Sequence, residues 1–178
     1  MDYYKNIDFL DWQPFVDRYE HLISNAGQIH SGLLPPEERE WLQKQLGNHI
    51  DLITGRILKI KNAIMFYQVG DHQRTIHCDG ADLKDHKEVT WALNIPIKNC
   101  ENSKMIWYSG EYELHPAQNP KGLAYLRIDW KTEPVEVASC VVDRPTLVRI
   151  TIPHNVINYS SSPRCVLSLR FSPDLFDQ

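Results

Sequence analysis

The feature that most constrains the fold is a long succession of short runs rich in β-branched and aromatic residues, which begins near Arg56. Gly, Pro, Asn and Asp separate these runs, as expected for strands joined by turns. The runs predict eight strands, at about 57–69, 74–78, 89–97, 104–108, 123–129, 134–141, 146–152 and 164–171. Because no helical pattern intervenes, the sequence predicts an antiparallel sandwich or barrel, of which the jelly roll is the eight-stranded form.

Helical patterns are confined to the residues that precede these strands. Between Trp12 and Asn25, apolar residues recur at the spacing of one helix face. A second helix is predicted from about Pro36 to Leu46, where a proline and two acids occupy the first turn. Gly47 is expected to end this second helix.

The two kinds of pattern are expected to form one domain. The sequence has no internal repeat, low-complexity tract or linker, and its 178 residues are the usual size of a single domain. We therefore expect a mostly β (α+β) domain over residues 1–178. In it, residues 1–55 form a helical support that braces one face of a jelly-roll core, residues 56–173.

Composition and charge narrow the classes of function. Charged residues make up 24% of the sequence and apolar residues 42%, as in ordinary globular proteins. A net charge of −4 and the absence of a long basic run argue against nucleic acid as a partner. No stretch predicts a membrane span, and the first residues lack a secretory pattern. The four cysteines include no C-x-x-C pair, which favours a reducing, cytoplasmic location.

The strongest chemical signal is the H-x-D sequence His77-Cys78-Asp79, at the end of an extended segment. Alternate side chains of a strand share a face, so His77 and Asp79 can bind one metal ion while Cys78 points away. His154, which follows an apolar strand and Pro153, is the candidate third ligand. Two imidazoles and one carboxylate form the facial triad of non-haem iron(II) oxygenases, which leaves positions open for a co-substrate and O2. Taken alone, the H-x-D would be an ordinary turn feature.

Arg164 begins the strand after His154. A 2-oxoglutarate molecule chelates iron through its keto acid end, and its distal carboxylate then needs a cationic partner in a partly dry pocket. Arginine suits this role because its guanidinium is permanently charged and binds carboxylates through two hydrogen bonds. By strand alternation Arg164, Ser168 and Arg170 share a face, so Ser168 can assist and Arg170 is the rival anchor. The alternative for Arg164 is a surface ion pair.

In order and spacing, the H-x-D, the distant histidine and the trailing arginine resemble the 2-oxoglutarate and iron(II)-dependent oxygenases. The segments WALNIPIKNCENSKMIWYSG and PTLVRITIPHNVINYSSSPRCVLSLRF look like small oxygenase-like proteins of marine bacteria and their phages. The resemblance covers the β part of the sequence and not the N-terminal helices. It implies a double-stranded β-helix core, with iron(II) bound by His77, Asp79 and His154 and with 2-oxoglutarate held by Arg164.

The resemblance also implies the reaction. O2 is consumed while 2-oxoglutarate is decarboxylated to succinate and carbon dioxide, and the usual outcome is hydroxylation of a C–H bond in a small molecule or an amino-acid side chain. Because Asp79 is present rather than Ala or Gly, the family pattern argues against a halogenase, which uses that coordination position for chloride. The sequence departs mildly from some subfamilies, since Cys-Val follows Arg164 where they have x-Ser.

Further residues are candidates to line the pocket. Tyr67 and Asn94 are expected to hydrogen-bond 2-oxoglutarate, and Trp107, Tyr108 and His86 are expected to contact the substrate. Core packing is the alternative for each aromatic ring. Substrate specificity is expected to lie in the loops at 80–89 and 109–122, because a rigid scaffold commonly carries its binding residues on loops.

Two other functions compete with the oxygenase. One is a cupin-like module that keeps the jelly roll and binds a small ligand or a metal without oxygen chemistry, because fold alone does not determine function. The other is an isomerase or hydrolase with zinc or manganese in the same triad. Neither needs a partner for a distal carboxylate, so the combination of the triad with Arg164 favours the oxygenase.

Overall fold

The structure is a computed structural model, which describes residues 2–8, 10–24, 32–54, 58–80, 83–119 and 122–172. The described helices are α1 (Gln13–Ser24), α2 (Pro36–Thr54) and α3 (Leu83–Glu88). The described strands are β1 (Tyr4–Asn6), β2 (Gly32–Leu33), β3 (Lys59–Gln68), β4 (His72–Gln73), β5 (His77–Cys78), β6 (Trp91–Lys98), β7 (Ser103–Ser109), β8 (Tyr112–Gln118), β9 (Ala124–Trp130), β10 (Val135–Cys140), β11 (Thr146–Arg149), β12 (His154–Asn158) and β13 (Arg164–Ser172). These helices lack the combination of length and hydrophobicity that a bilayer-spanning segment requires.

The strands form two antiparallel sheets. Sheet A has the order β1-β11-β6-β13-β3-β2, and sheet B has the order β10-β7-β12-β5-β9-β8, with β4 paired to β12. Several neighbours in the sheets are far apart in sequence, as in β12 beside β5 and β13 beside β3. The prediction of a mostly β chain is confirmed, and the two antiparallel sheets are consistent with the predicted jelly roll.

Helix α2 passes through Gly47, so the predicted end of the helix at this residue is wrong. A glycine inside a helix costs about 1 kcal/mol relative to alanine, which packing can offset. Leu42 and Leu46 are fully buried just before it, and no proline follows to interrupt the helix. Helix α1 begins at Gln13, and Asn25, where its predicted range ends, lies outside the described residues.

Two predicted β and loop segments also differ from the structure. Of the predicted strand 74–78, only His77–Cys78 forms a strand, β5; residues 74–76 are irregular, and β4 lies just before them. The predicted loop 109–122 contains β8, which pairs with β9 along its full length. Strand β8 lies at the edge of sheet B and includes His115 and Pro116. An edge strand tolerates such residues because one row of its backbone N–H and C=O groups makes no hydrogen bonds to a neighbouring strand. A strand with this composition is therefore hard to tell from a loop in the sequence.

The chain passes from sheet A to sheet B at Pro153. The predicted strand 146–152 ends at Arg149 in sheet A, and β12 begins after Pro153 in sheet B. Proline has no N–H to donate to a ladder, so it suits the break between two strands. The crossing brings His154 into register with His77.

The two faces of sheet A pack against different partners. One face packs against the helices in a cluster that includes Phe15, Tyr19, Leu42, Leu46, Leu167 and Leu169. The other face turns toward sheet B, since Ala92 and Val148 of sheet A cluster with Met105 and Trp107 of sheet B. The interior between the sheets is therefore lined by alternate residues of β6, β11 and β13.

Candidate functional site

The three predicted metal ligands come together at one place. The candidate ligand atoms of His77, Asp79 and His154 all lie within 4.8 Å of one another, so they can hold a single metal ion. Asp79 Oδ1 lies 3.4 Å from His77 Nε2 and 3.8 Å from His154 Nε2. The antiparallel pairing of β5 with β12 places the two histidines side by side on one face of sheet B. Within the described ranges, no other group of His, Cys, Asp or Glu has this geometry.

The hydrogen bonds of the two histidines suit them to metal ligation. His77 Nδ1 lies 2.8 Å from Thr75 O, and His154 Nδ1 lies 2.8 Å from Ile152 O. With each Nδ1–H donating to a carbonyl, the tautomer is fixed and the Nε2 lone pair is left for a metal. Burial, assisted by the neighbouring His77, lowers the pKa of His154 to about 4, so its ring is neutral at pH 7.

Asp79 is held by a chain of hydrogen bonds that begins at Arg170. The Arg170 guanidinium donates to Asp79 Oδ2 and to Ser168 Oγ. The Ser168 hydroxyl donates in turn to Asn94 Oδ1, on the neighbouring strand β6. Three residues that the sequence assigns to co-substrate binding, Asn94, Ser168 and Arg170, are therefore linked to the carboxylate of a candidate metal ligand.

The surroundings of Asp79 keep its carboxylate charged. Burial by itself raises the pKa of this carboxyl, but Arg170, His77 and His154 together outweigh burial and hold the pKa well below its ordinary value. A carboxyl group must be deprotonated to bind a metal, and Asp79 already is, so a cation can bind without displacing a proton from Asp79.

Arg164 is a buried cation near the opposite end of β13 from Arg170. Its Nε has no hydrogen-bond partner, and burial lowers its pKa. The described groups that act most strongly on its charge are the thiols of Cys100, Cys140 and Cys165, and burial raises the pKa of each thiol, so they stay neutral and supply no counter-charge. Because a buried charge without a counter-charge is costly, this arrangement points to an anionic ligand for Arg164.

Arg74 is a further mostly buried guanidinium, which the sequence pattern does not single out. Its Nη2 donates to Tyr67 O at 2.8 Å, and its Cζ lies 5.5 Å from the centroid of the Phe66 ring. Arg170 approaches the same ring at 5.8 Å. Burial lowers the pKa of Arg74, and the charge of Arg164 acts in the same direction. The only sequence signal for Arg74 is its place three residues before the H-x-D.

Tyr67 and Tyr108 lie on faces that turn away from the triad. Tyr67 is in register with Cys165 and packs against the helix-facing core of sheet A. Tyr108 neighbours an inward-facing residue on β7, so its side chain points to the other face, where its hydroxyl donates to Asn155 Oδ1 at 3.2 Å. These placements do not support the predicted contacts of Tyr67 with 2-oxoglutarate and of Tyr108 with substrate.

Trp107 lies on the same face of sheet B as the triad and is packed into the core beside it. It is in register with His154 and is fully buried. Its indole Nε1 donates to Arg149 O at 2.8 Å, and its ring stacks on Tyr4 with centroids 5.9 Å apart. Trp107 therefore packs beside His154 on the neighbouring strand, and its burial favours core packing over the predicted substrate contact.

His86 lies against the backbone of the metal site. Its Nδ1 is 3.0 Å from Asp79 O, so α3 is fastened to the residue that carries the candidate ligand. Gly80 permits this approach, because its φ of +138° is unfavourable for other residues and an added Cβ would lie 3.0 Å from His86 Cβ. The segment 80–89, predicted as a specificity loop, thus contains a helical turn that touches the site.

Comparison with known proteins identifies the fold but no close relative. No family model and no curated protein matches the sequence. Among solved structures, the non-heme alpha ketoglutarate dependent carbocyclase SnoK from nogalamycin biosynthesis has a TM-score of 0.58 at 13% identity, over 94% of this chain and 79% of that one. The non-heme alpha ketoglutarate dependent epimerase SnoN, from the same biosynthesis, has a TM-score of 0.54 at 11% identity, over 96% and 78%. HygX from Streptomyces hygroscopicus, with iron bound, has a TM-score of 0.52 at 10% identity, over 96% and 82%. The chain therefore has the fold of SnoK, SnoN and HygX.

Proposed function

We propose that this protein is a non-haem iron(II) and 2-oxoglutarate-dependent oxygenase that hydroxylates a small molecule or an amino-acid side chain. The observation that carries the proposal is the convergence of His77, Asp79 and His154 beside an interior that also contains the buried Arg164. The bound iron supplies the activation of O2, coupled to decarboxylation of 2-oxoglutarate to succinate and carbon dioxide.

The donor set supports iron(II) at this place. Two imidazoles with Nδ1 engaged by carbonyls and one charged carboxylate match the facial triad. Arg170 and His86 hold the side chain and the backbone of Asp79, respectively, which orients this ligand before the metal arrives. The same donors accept zinc or manganese, so the co-substrate site distinguishes the oxygenase from those alternatives.

Arg164 supports the choice of 2-oxoglutarate. Its role in the proposal is to bind the distal carboxylate, which supplies the counter-charge that the described residues around it do not. Arg170, the rival anchor, is already engaged by Asp79 and Ser168. A cupin-like binding module or a zinc hydrolase has no need for a buried guanidinium at this position.

We extend the proposal to the organisation of the chain. Residues 1–178 act as one catalytic unit, in which residues 1–55 brace sheet A of a double-stranded β-helix formed by residues 56–173. The packing of α1 and α2 residues in one cluster with sheet A supports this division. The net charge of −4 favours a small-molecule substrate over nucleic acid, and the four free cysteines suit a reducing cytoplasm.

An anaerobic titration tests the proposal. Apoprotein is titrated with iron(II) and then with 2-oxoglutarate while the visible metal-to-ligand charge-transfer band is recorded. We expect the band in wild type, no iron binding in His154→Ala, and retained iron binding with a strongly weakened band in Arg164→Met. Arg144→Gln, which removes an exposed arginine paired with Asp143, is the matched control and should behave as wild type. No band in wild type, or an undiminished band in Arg164→Met, contradicts the proposal.

A further inference from the structure

The candidate metal site opens toward solvent on the side of His77 and Asp79. Their side chains are 18% and 17% exposed, whereas the side chain of His154 is only 5% exposed. Arg170 and Arg164, which lie on β13 in sheet A, are buried as well. A substrate that reaches the metal must therefore arrive on the side of β5, the strand that carries His77.

Strand β9 forms the wall of this open side. His77 is in register with Arg127, which places the two Cα atoms about 4.5–5.5 Å apart with both side chains on one face. Tyr125 is two residues from Arg127 on the same strand and therefore on the same face. Its ring meets the His77 ring edge-on, with centroids 5.8 Å apart. Tyr125 and Arg127 are thus the β9 residues next to the metal ligand.

The wall is polar on only one face of strands β5, β8 and β9. The opposite face of β5, β8 and β9 carries an apolar cluster that includes Cys78, Leu114, Leu126 and Ile128. The face that continues from His77 carries Arg127, Asp129 and His115, and it is exposed. The same face of sheet B is buried at Trp107 and His154, so it passes from the core, through the metal site, to a charged surface.

The partners of Arg127 can be exchanged at little cost. Arg127 Nε and Nη2 each lie 3.2 Å from Asp129, and the side chains of both residues are about half exposed. Such exposed ion pairs contribute little to stability. Asp129 Oδ2 is also 3.3 Å from His115 Nε2, so Asp129 keeps a partner when Arg127 turns toward a ligand. The guanidinium is therefore available to a carboxylate that arrives beside His77.

We propose that the primary substrate carries a carboxylate that binds Arg127, and that Tyr125 packs against the body of the substrate beside His77. The inference rests on the proposed function, because it uses the triad as the place where the substrate reacts. A guanidinium binds a carboxylate through two parallel hydrogen bonds, which fixes the orientation of the bound molecule as well as its position. Arg127 thereby selects which C–H bond of the substrate faces the metal.

The test uses matched pairs of probes with the protein loaded with iron(II) and 2-oxoglutarate. Each pair consists of an N-acetyl-L-amino acid and its primary amide, which differ only in the carboxylate. Binding is followed anaerobically as a shift of the charge-transfer band, and turnover is followed as succinate released above the probe-free rate. In wild type we expect at least one acid to bind about tenfold more tightly than its amide, the size of one charge-assisted contact at a partly exposed site.

The variants separate the role of Arg127 from that of its neighbours. Arg127→Gln should remove the preference for the acid, Tyr125→Ala should weaken the acid and the amide equally, and the control Arg144→Gln should retain the preference. Iron(II) and 2-oxoglutarate should bind to Arg127→Gln as they bind to wild type. If wild type itself fails to bind iron(II) or 2-oxoglutarate, the proposed function is refuted, and not only the substrate assignment. The assignment is overturned if no acid is preferred over its amide in wild type, or if Arg127→Gln keeps the preference.

Discussion

Removal of Arg170 tests how the candidate metal centre is held together in the absence of metal. Arg170 donates to the Asp79 carboxylate, and their side chains are 7% and 17% exposed. Breaking a buried ion pair by removing one partner costs about 3–5 kcal/mol, because the other charge is left without its counter-charge. Asp79 retains contact with the two histidines, so we expect Arg170→Met to lower the free energy of unfolding by about 3 kcal/mol, the lower end of that range.

A double-mutant cycle isolates the Asp79–Arg170 interaction. Asp79→Asn by itself leaves the Arg170 cation buried, whereas Asp79→Asn combined with Arg170→Met removes both charges. The double variant should therefore lose less stability than the sum of the two single variants, with a coupling of about 2–3 kcal/mol, since replacing both members of a buried pair is far less costly than replacing one.

Urea denaturation of the chelator-treated protein measures these differences, with far-ultraviolet circular dichroism as the signal. A shift in the midpoint at constant slope reports a change in stability rather than in the unfolded state. Addition of zinc should restore part of the stability lost in Arg170→Met, because a bound cation supplies the missing counter-charge to Asp79 and stabilises the folded state. A wild-type midpoint for Arg170→Met, or additive losses in the double variant, refutes the reasoning.

Three further predictions concern stability. Arg164→Met should leave the metal-free protein as stable as wild type or up to about 2 kcal/mol more stable in urea, because it removes a buried charge; a loss above about 1 kcal/mol contradicts this. A hydrogen bond from Arg18 lowers the pKa of Glu38 despite burial, so Glu38 stabilises the folded state above about pH 4.3, and this stabilisation disappears as the pH falls through the lower folded-state pKa. Glu38→Gln should therefore be about 1 kcal/mol less stable than wild type at pH 7, and this difference should shrink as the pH is lowered through the folded-state pKa of Glu38; a difference that stays constant as the pH falls contradicts the assignment. Gly47→Ala should raise the unfolding free energy by about 0.5–1 kcal/mol, because it relieves a helical glycine whose added Cβ meets nothing within 4 Å, and a fall in melting temperature argues against this.

The edge strand β8 illustrates what the sequence does not reveal. Its residues 112–115 alternate between the apolar cluster and solvent, but the strand also includes Glu113, His115 and Pro116, residue types that are common in loops. A strand at the edge of a sheet needs only one hydrogen-bonded neighbour, so its composition is weakly constrained. Only its pairing with β9 shows that this segment belongs to sheet B.

The sequence by itself determined the mostly β class and the sets of side chains that share a face of one strand. His77 with Asp79, and Arg164 with Ser168 and Arg170, follow from the two-residue repeat of an extended chain, which is a local property. The tertiary structure alone decided which of these faces meet. Arg170 rather than Arg164 contacts Asp79, Tyr67 faces the helices, and Arg127 lies beside His77. These contacts depend on the register between strands that are distant in sequence, and because a slip of one residue exchanges the two faces of a strand, that register is set by the packing of the whole core.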